Sequence, residues 1–157
     1  MEYEYSFKVS KLDKYLDIIK SRYKYINTYN EKRVIYRKND SNDTIARITY
    51  KDNCMYLDFK ENKIGNNDLT VRKETKSIVF DNFDNCENIL EFLGYYRDNS
   101  IYRKRTIYQG DEIKFEIDEY YEPENVLVLS FEGKKEICDK VYKDFEKLNK
   151  KYKIWKE

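Results

Sequence analysis

The chain contains no histidine, and that absence removes several chemistries together. Ser-His-Asp and Cys-His catalysis, H-E-x-x-H zinc chemistry and histidine pH switching all require the missing imidazole. A general base here must be a carboxylate, a lysine, a tyrosine or a metal-bound hydroxide. A protein metal site must be oxygen-rich, which favours magnesium, manganese or calcium. Cysteine is scarce as well: Cys54, Cys86 and Cys138 lie far apart and form no C-x-x-C pair. That spacing suggests neither a disulfide framework nor a zinc site, and it predicts buried free thiols in a reducing cytoplasm.

One proline and four glycines leave little room for linkers, so residues 1–157 read as a single domain. Charge of one sign is not in excess, with 31 Lys plus Arg against 30 Asp plus Glu. Binding to a DNA duplex through a bulk positive field is therefore not expected. No apolar run approaches the length of a membrane span, and the start Met1-Glu2-Tyr3-Glu4-Tyr5 does not read as a signal peptide, so no membrane partner is expected. No glycine-rich phosphate cradle is present either.

What the chain does have is rings and charges. Charged residues make up 39%, a level that invites disorder, but 17 Tyr and 8 Phe supply the burial that disordered chains lack. Eight segments read as strands, near 2–9, 33–38, 44–51, 53–60, 69–80, 101–109, 112–119 and 125–133. Turn signals at Asn39–Asp43, Asp52-Asn53 and Gln109-Gly110-Asp111 separate several of them. Three segments read as helices. The first is capped by Ser10, with Leu12, Tyr15, Leu16 and Ile19 as its apolar stripe. The second runs from about Asn85 to Leu93, with Ile89, Leu90 and Leu93 inward and Gly94 after it. The third covers 134–149, with Ile137, Val141, Phe145 and Leu148 on one face. The pattern predicts an α+β fold: an eight-stranded antiparallel closed β-barrel, or tunnel, with three flanking helices.

The strands alternate, and their polar faces mix acids with bases. Glu2, Glu4, Ser6 and Lys8 oppose Tyr3, Tyr5, Phe7 and Val9, while Lys114, Glu116 and Asp118 oppose Ile113, Phe115 and Ile117. The ordinary alternative is a sheet with its charges in solvent. Three amphipathic helices, however, need apolar strand faces to cover, which turns the charges toward a lumen. Buried charge is costly unless paired or ligand-bound. Lys and Arg on opposite walls suit a polyphosphate, and paired acids such as Glu2 and Glu4 suit a divalent metal that screens them from it.

These residues resemble the CYTH family, the triphosphate tunnel metalloenzymes, which includes class IV adenylyl cyclases, thiamine triphosphatases and tripolyphosphatases. The family opens on E-x-E-x-K, and here Glu2-Tyr3-Glu4-Tyr5-Ser6 keeps both acids and places Ser6 at the lysine position. Lys8 follows on the same face, roughly 7 Å further along. Arg47-Ile48-Thr49 resembles the family's R-x-R, and Lys60 ends a strand as its substrate lysine does. Arg72-Lys73-Glu74-Thr75-Lys76 resembles R-x-E-x-E, Arg103-Lys104-Arg105 the later basic pair, and Ser130-Phe131-Glu132-Gly133 the closing E-x-E-G. An acid on the following strand resembles Asp118, with Glu116 two residues before it. The departures are Ser6, Thr49, Lys76 and Ser130.

By this resemblance the metal ligands are Glu2, Glu4, Glu74, Glu116, Asp118 and Glu132, holding Mg2+ or Mn2+. The phosphate-binding residues are Arg47, Lys60, Arg72, Arg103 and Arg105, and the candidate catalytic residues are Glu4 and Lys8. The implied activity is metal-dependent hydrolysis of tripolyphosphate, thiamine triphosphate, a nucleotide or an RNA 5′-triphosphate. Two alternatives stand beside it: a non-catalytic nucleotide or polyphosphate binder, and an adenylyl cyclase. The expected partner is a triphosphate or nucleotide ligand, on a monomer or homodimer.

Overall fold

Alternation at the start of the chain drives Tyr5 and Phe7 into a core and leaves Glu2, Glu4 and Ser6 on the reverse side of the same strand. The computed structural model describes residues 2–10, 13–39, 41–64, 69–148 and 153–154, with backbone alone for 41–43, 62–64, 69–73 and 153–154. The elements in order are β1 (Glu2–Val9), α1 (Lys14–Arg22), β2 (Lys24–Lys38), β3 (Ser41–Lys51), β4 (Cys54–Ile64), β5 (Leu69–Glu74), β6 (Ile78–Phe80), α2 (Phe83–Phe92), β7 (Tyr95–Gly110), β8 (Ile113–Glu122), β9 (Val126–Gly133), α3 (Lys135–Leu148) and β10 (Lys153–Ile154). The class is α+β, with eight long antiparallel strands, two short ones and three helices.

Hydrogen-bonded neighbours run β1-β5-β4-β3-β2-β7-β8-β9. β1 carries ladders on both edges. Residues Tyr3–Val9 pair with β9, Glu2–Tyr5 with β5, and Phe7 and Lys8 with β10. Two residues with positive φ, Asp52 (53°) and Asn53 (61°), make the tight turn between β3 and β4, a conformation Asp and Asn tolerate better than most residues.

The helices cover one side of the sheet at two places. α1 and α3 bury Leu16, Ile19, Val141 and Phe145 against Tyr5, Phe7, Phe115 and Phe131. Phe145 stacks on Phe7 with ring centroids 4.7 Å apart. α2 buries Cys86 and Leu90 against Tyr36, Ala46, Ile48 and Tyr95.

Several boundaries differ from the sequence-based expectation. The strand expected at 33–38 begins at Lys24, and the one expected at 101–109 begins at Tyr95. Both extensions are polar and read as loop, yet β2 and β7 pair over nearly their full lengths. The segment 69–80 divides into β5 and β6, each paired with β4. Asp13, not Ser10, caps α1, its carboxylate accepting from the Tyr15 amide at 2.9 Å. Leu12 lies outside the described residues. α2 starts two residues earlier than expected and turns Cys86 and Leu90 inward, so Ile89 and Leu93 are exposed. Gly94 follows it at φ +92°, as its expected role requires. Leu148, at the end of α3, is also exposed.

Candidate functional site

Residues directly opposite each other in a ladder share a face of the sheet. From Glu4 and Ser6 that rule passes to Glu132 and Ser130 on β9, then to Lys114 and Glu116 on β8. Asp118 and Tyr120 lead to Arg105 and Arg103 on β7, and Arg103 leads to Glu31 on β2. Arg33 faces Thr49, Arg47 faces Asp58, and Lys60 faces Glu74. Arg72 lies opposite Glu2 in backbone register. The face turned away from the helices is therefore the charged one on all eight long strands.

These charges are enclosed. Arg103 is 0% exposed, and Arg47, Lys60, Glu31, Glu116 and Asp118 are buried. The ion pairs on this face join Arg and Lys to Asp and Glu across neighbouring positions. Arg103 donates to Glu31 at 2.5 Å and to the Tyr120 hydroxyl at 2.5 Å, and lies 3.6 Å from Asp118. Arg105 grips Asp118 with two parallel bonds of 2.7 and 2.8 Å and also pairs with Glu116. Arg47 holds Asp58 in the same two-pronged way, at 2.7 and 2.8 Å, and reaches Glu74 at 3.2 Å. Lys114 bridges Glu116 at 3.3 Å and Glu132. Two-pronged Arg–carboxylate pairs are among the stronger charged contacts, and without them this much buried charge is not tolerable.

The ionisation of Glu31 records the field. Burial alone would raise its pKa, but Arg33, Arg103 and Arg105 overcome that and hold the carboxyl down at about 2. Burial would lower Lys114, yet Glu116 and Glu132 raise it well above the usual lysine range. Arg103 and Arg105 likewise stay charged, against burial and each other, because acids surround them.

The expected metal ligands do not form a cage. Among the described residues no three Asp, Glu or Cys side chains gather at metal-binding distance. Glu4 and Glu132 stand opposite each other across the β1–β9 ladder, with Glu2 one step along the same face. Two facing carboxylates fit a hard cation that brings most of its shell with it, as magnesium does when phosphate oxygens and water complete the octahedron.

Two of the four departures from the family pattern prove to be one feature. Ser6 and Ser130 are ladder partners, and their hydroxyls hydrogen-bond at 2.8 Å. A lysine and an acid at those two positions would face each other as an ion pair. Here both charges are absent together, and Ser6 donates instead to Glu4 at 2.9 Å. A third departure is offset from a neighbouring strand. Thr49 accepts a 3.1 Å bond from Arg33, so a guanidinium occupies that region although β3 supplies none there. Lys8, expected beside Glu4, pairs with Glu124 at 2.9 Å.

Sequence reasoning missed Glu31, Arg33, Asp58 and Lys114 as site residues. Only Glu31 falls outside the strands expected from sequence, because β2 begins at Lys24 and not at 33; Arg33, Asp58 and Lys114 lie within expected strands, where alternation with apolar neighbours was the available signal. Arg72 lies in β5, and its side chain is outside the described residues.

No family model matches the sequence, and no curated protein does. Solved structures do share its shape. The PH1819 protein of Pyrococcus horikoshii OT3 superposes with a TM-score of 0.75 at 15% identity, covering 99% of this chain and 95% of that one. A Hippeastrum protein, HpAC1, described as a candidate adenylyl cyclase with a dominant triphosphatase activity, gives a TM-score of 0.71 at 15% identity, over 100% and 92%. A chain of the Schizosaccharomyces pombe Mediator head module gives 0.64 at 11% identity, over 94% of each. The CYTH resemblance thus holds at the level of fold, and that fold is found in very different settings.

Proposed function

We propose that this protein is a divergent member of the triphosphate tunnel family that binds a triphosphate-containing anion inside a closed barrel. Closure is supported by the ladders on both edges of β1 and by burial. Among the described residues no helix packs on the charged face, yet Glu31, Arg47, Lys60, Arg103 and Asp118 on it are as enclosed as the residues beneath the helices. A sheet that curls over its own charged face accounts for both facts.

The observation that carries the reading is a cluster of four buried cations (Arg33, Arg47, Lys60 and Arg103), with the half-buried Arg105 beside them, drawn from four strands. Each phosphate oxygen that enters takes over donors now given to a carboxylate, so the cations need little rearrangement. Magnesium or manganese entering with the phosphate chain would be held by Glu4 and Glu132, with Glu2 beside them, and would supply Lewis acidity at a phosphoryl oxygen. Glu4, steadied by Ser6, is the carboxylate placed to orient an attacking water. Hydrolysis places fewer demands on the organic end of a substrate than cyclisation does, and it is the activity favoured here.

The test is turnover of tripolyphosphate, thiamine triphosphate, ATP and an RNA 5′-triphosphate with either metal. Turnover of at least one, abolished by Glu4→Gln, supports the reading, and none with metal-saturated protein removes it. A non-catalytic receptor is favoured by one specific observation, the Ser6–Ser130 pair in place of opposite charges. Tight calorimetric binding that is unchanged by EDTA, with intact ligand recovered, selects the receptor.

A further inference from the structure

On five neighbouring strands the charged face changes character toward the same end of the sheet. Two residues from Arg33 on β2 lies Ile35, and two residues from Arg47 on β3 lies Ile45. Arg103 on β7 is followed in this sense by Ile101, Asp118 on β8 by Tyr120, and Ser130 on β9 by Val128. The strands alternate in direction, so steps forward on β2 and β8 and backward on β3, β7 and β9 all lead to one end. The side chains belong to the charged face, since their ladder partners are its charges. Ile101 faces Arg33, Ile35 faces Arg47, Ile45 faces Lys60, Tyr120 faces Arg103, and Val128 faces Asp118 and Lys8.

These five pack into one apolar cluster, separate from both cores beneath the helices, and none is more than 3% exposed. Toward the other end the same face opens. Lys114 is 36% exposed there and Glu2 is exposed. At the rim of that end a hollow of about 490 Å³ lies between Glu2, Gly133 and the first residues of α3, Lys135 and Glu136.

We propose that the charged interior is a blind pocket, closed at one end by Ile35, Ile45, Ile101, Tyr120 and Val128 and entered only from the Glu2–Glu132 end. The inference rests on the triphosphate reading and narrows it by substrate class. The pocket takes a terminal triphosphate, free or esterified at one end, which enters with its unsubstituted phosphate first. It does not take the middle of a long polyphosphate or a triphosphate blocked at both ends. A chain threaded past the layer would place charged oxygens among four aliphatic side chains and the ring of Tyr120, whose hydroxyl is already held by Arg103. Any organic group stays at the open end, beside the hollow at Glu2 and Gly133.

Calorimetry with magnesium tests this on three probes: tripolyphosphate, its monomethyl ester and its dimethyl ester blocked at both ends. Tripolyphosphate and the monoester should bind within a few-fold of each other, and the diester at least about tenfold more weakly, a difference of about 1.4 kcal/mol. Equal binding of the diester overturns the proposal. Failure of tripolyphosphate itself overturns the triphosphate reading instead, and closure is then decided by labelling. In a Cys54→Ser background, an anionic thiol reagent should modify Ser130→Cys, above the layer, at least tenfold faster than Val128→Cys within it. Equal rates, with both variants melting as the background does, refute the closed end.

Discussion

Arg103 is the most enclosed charge among the described residues, and replacing it with methionine perturbs the interior in a calculable way. Methionine keeps an unbranched apolar stem while deleting the guanidinium that Glu31 and Tyr120 each meet at 2.5 Å. Removing one partner of a buried pair generally costs about 3–5 kcal/mol, because the other charge is left behind. The lower end applies here, since Glu31 keeps Arg33 at 3.5 Å and Asp118 keeps Arg105 at 2.7 Å. A loss of about 3 kcal/mol should lower the melting temperature of a chain this size by roughly 10 °C.

The loss must also depend on pH. Glu31 has a depressed pKa of about 2, so it contributes stability above its unfolded-state value that disappears as pH falls through about 2. Without Arg103 its pKa rises and much of that contribution is gone at neutral pH. The gap between wild type and variant should therefore be widest near neutrality and narrow below about pH 4. Adding Glu31→Gln should recover part of the loss, because the stranded carboxylate is then neutral. Urea unfolding of the wild type, both single variants and the double variant at neutral and acid pH reads all of this. A double variant no more stable than Arg103→Met, or a gap that does not change with pH, refutes the reasoning.

Other outcomes follow from the same structure. Ser6→Lys with Ser130→Glu should restore opposite charges across one ladder position, melt closer to wild type than Ser6→Lys alone, and raise tripolyphosphate turnover in the metal-supplemented assay. Gly133→Ala should destabilise more than Gly94→Ala in thermal melts. A methyl at Gly133 would stand 2.3 Å from the Glu112 carbonyl oxygen, while at Gly94 it meets nothing within 4 Å and costs only the φ +92° strain, about 1 kcal/mol. Asp13→Ala should remove the cap on α1 and lose about 1 kcal/mol by urea unfolding. Phe145→Ala, emptying a fully buried site stacked on Phe7, should cost about 3–5 kcal/mol.

Much of the architecture is local in origin and was legible in the sequence. Alternation in residues 2–9 and 112–119 announces half-buried strands, Asp52-Asn53 announces a turn, and Gly94 announces the end of a helix. Such signals need only a few neighbouring residues. The same is true of the charged strand face, because the period of two separates Lys114, Glu116 and Asp118 from Phe115 and Ile117 wherever the strand lies. The absence of histidine restricts the chemistry before any fold exists.

What only the tertiary structure decided is which charges meet. Arg103 and Glu31 are 72 positions apart, and Ser6 and Ser130 are 124 apart. Their contacts depend on ladder register, which no local pattern encodes. The polar stretches 24–32 and 95–100 carry no clear apolar alternation, so their strands exist because each pairs with the legible part of the opposite strand, 24–32 with 102–109 and 95–100 with 34–38. The apolar layer has the same origin. Ile35, Ile45, Ile101, Tyr120 and Val128 each look like an ordinary strand residue, and only the four ladders joining their five strands in a fixed register stack them into one layer beside the charges.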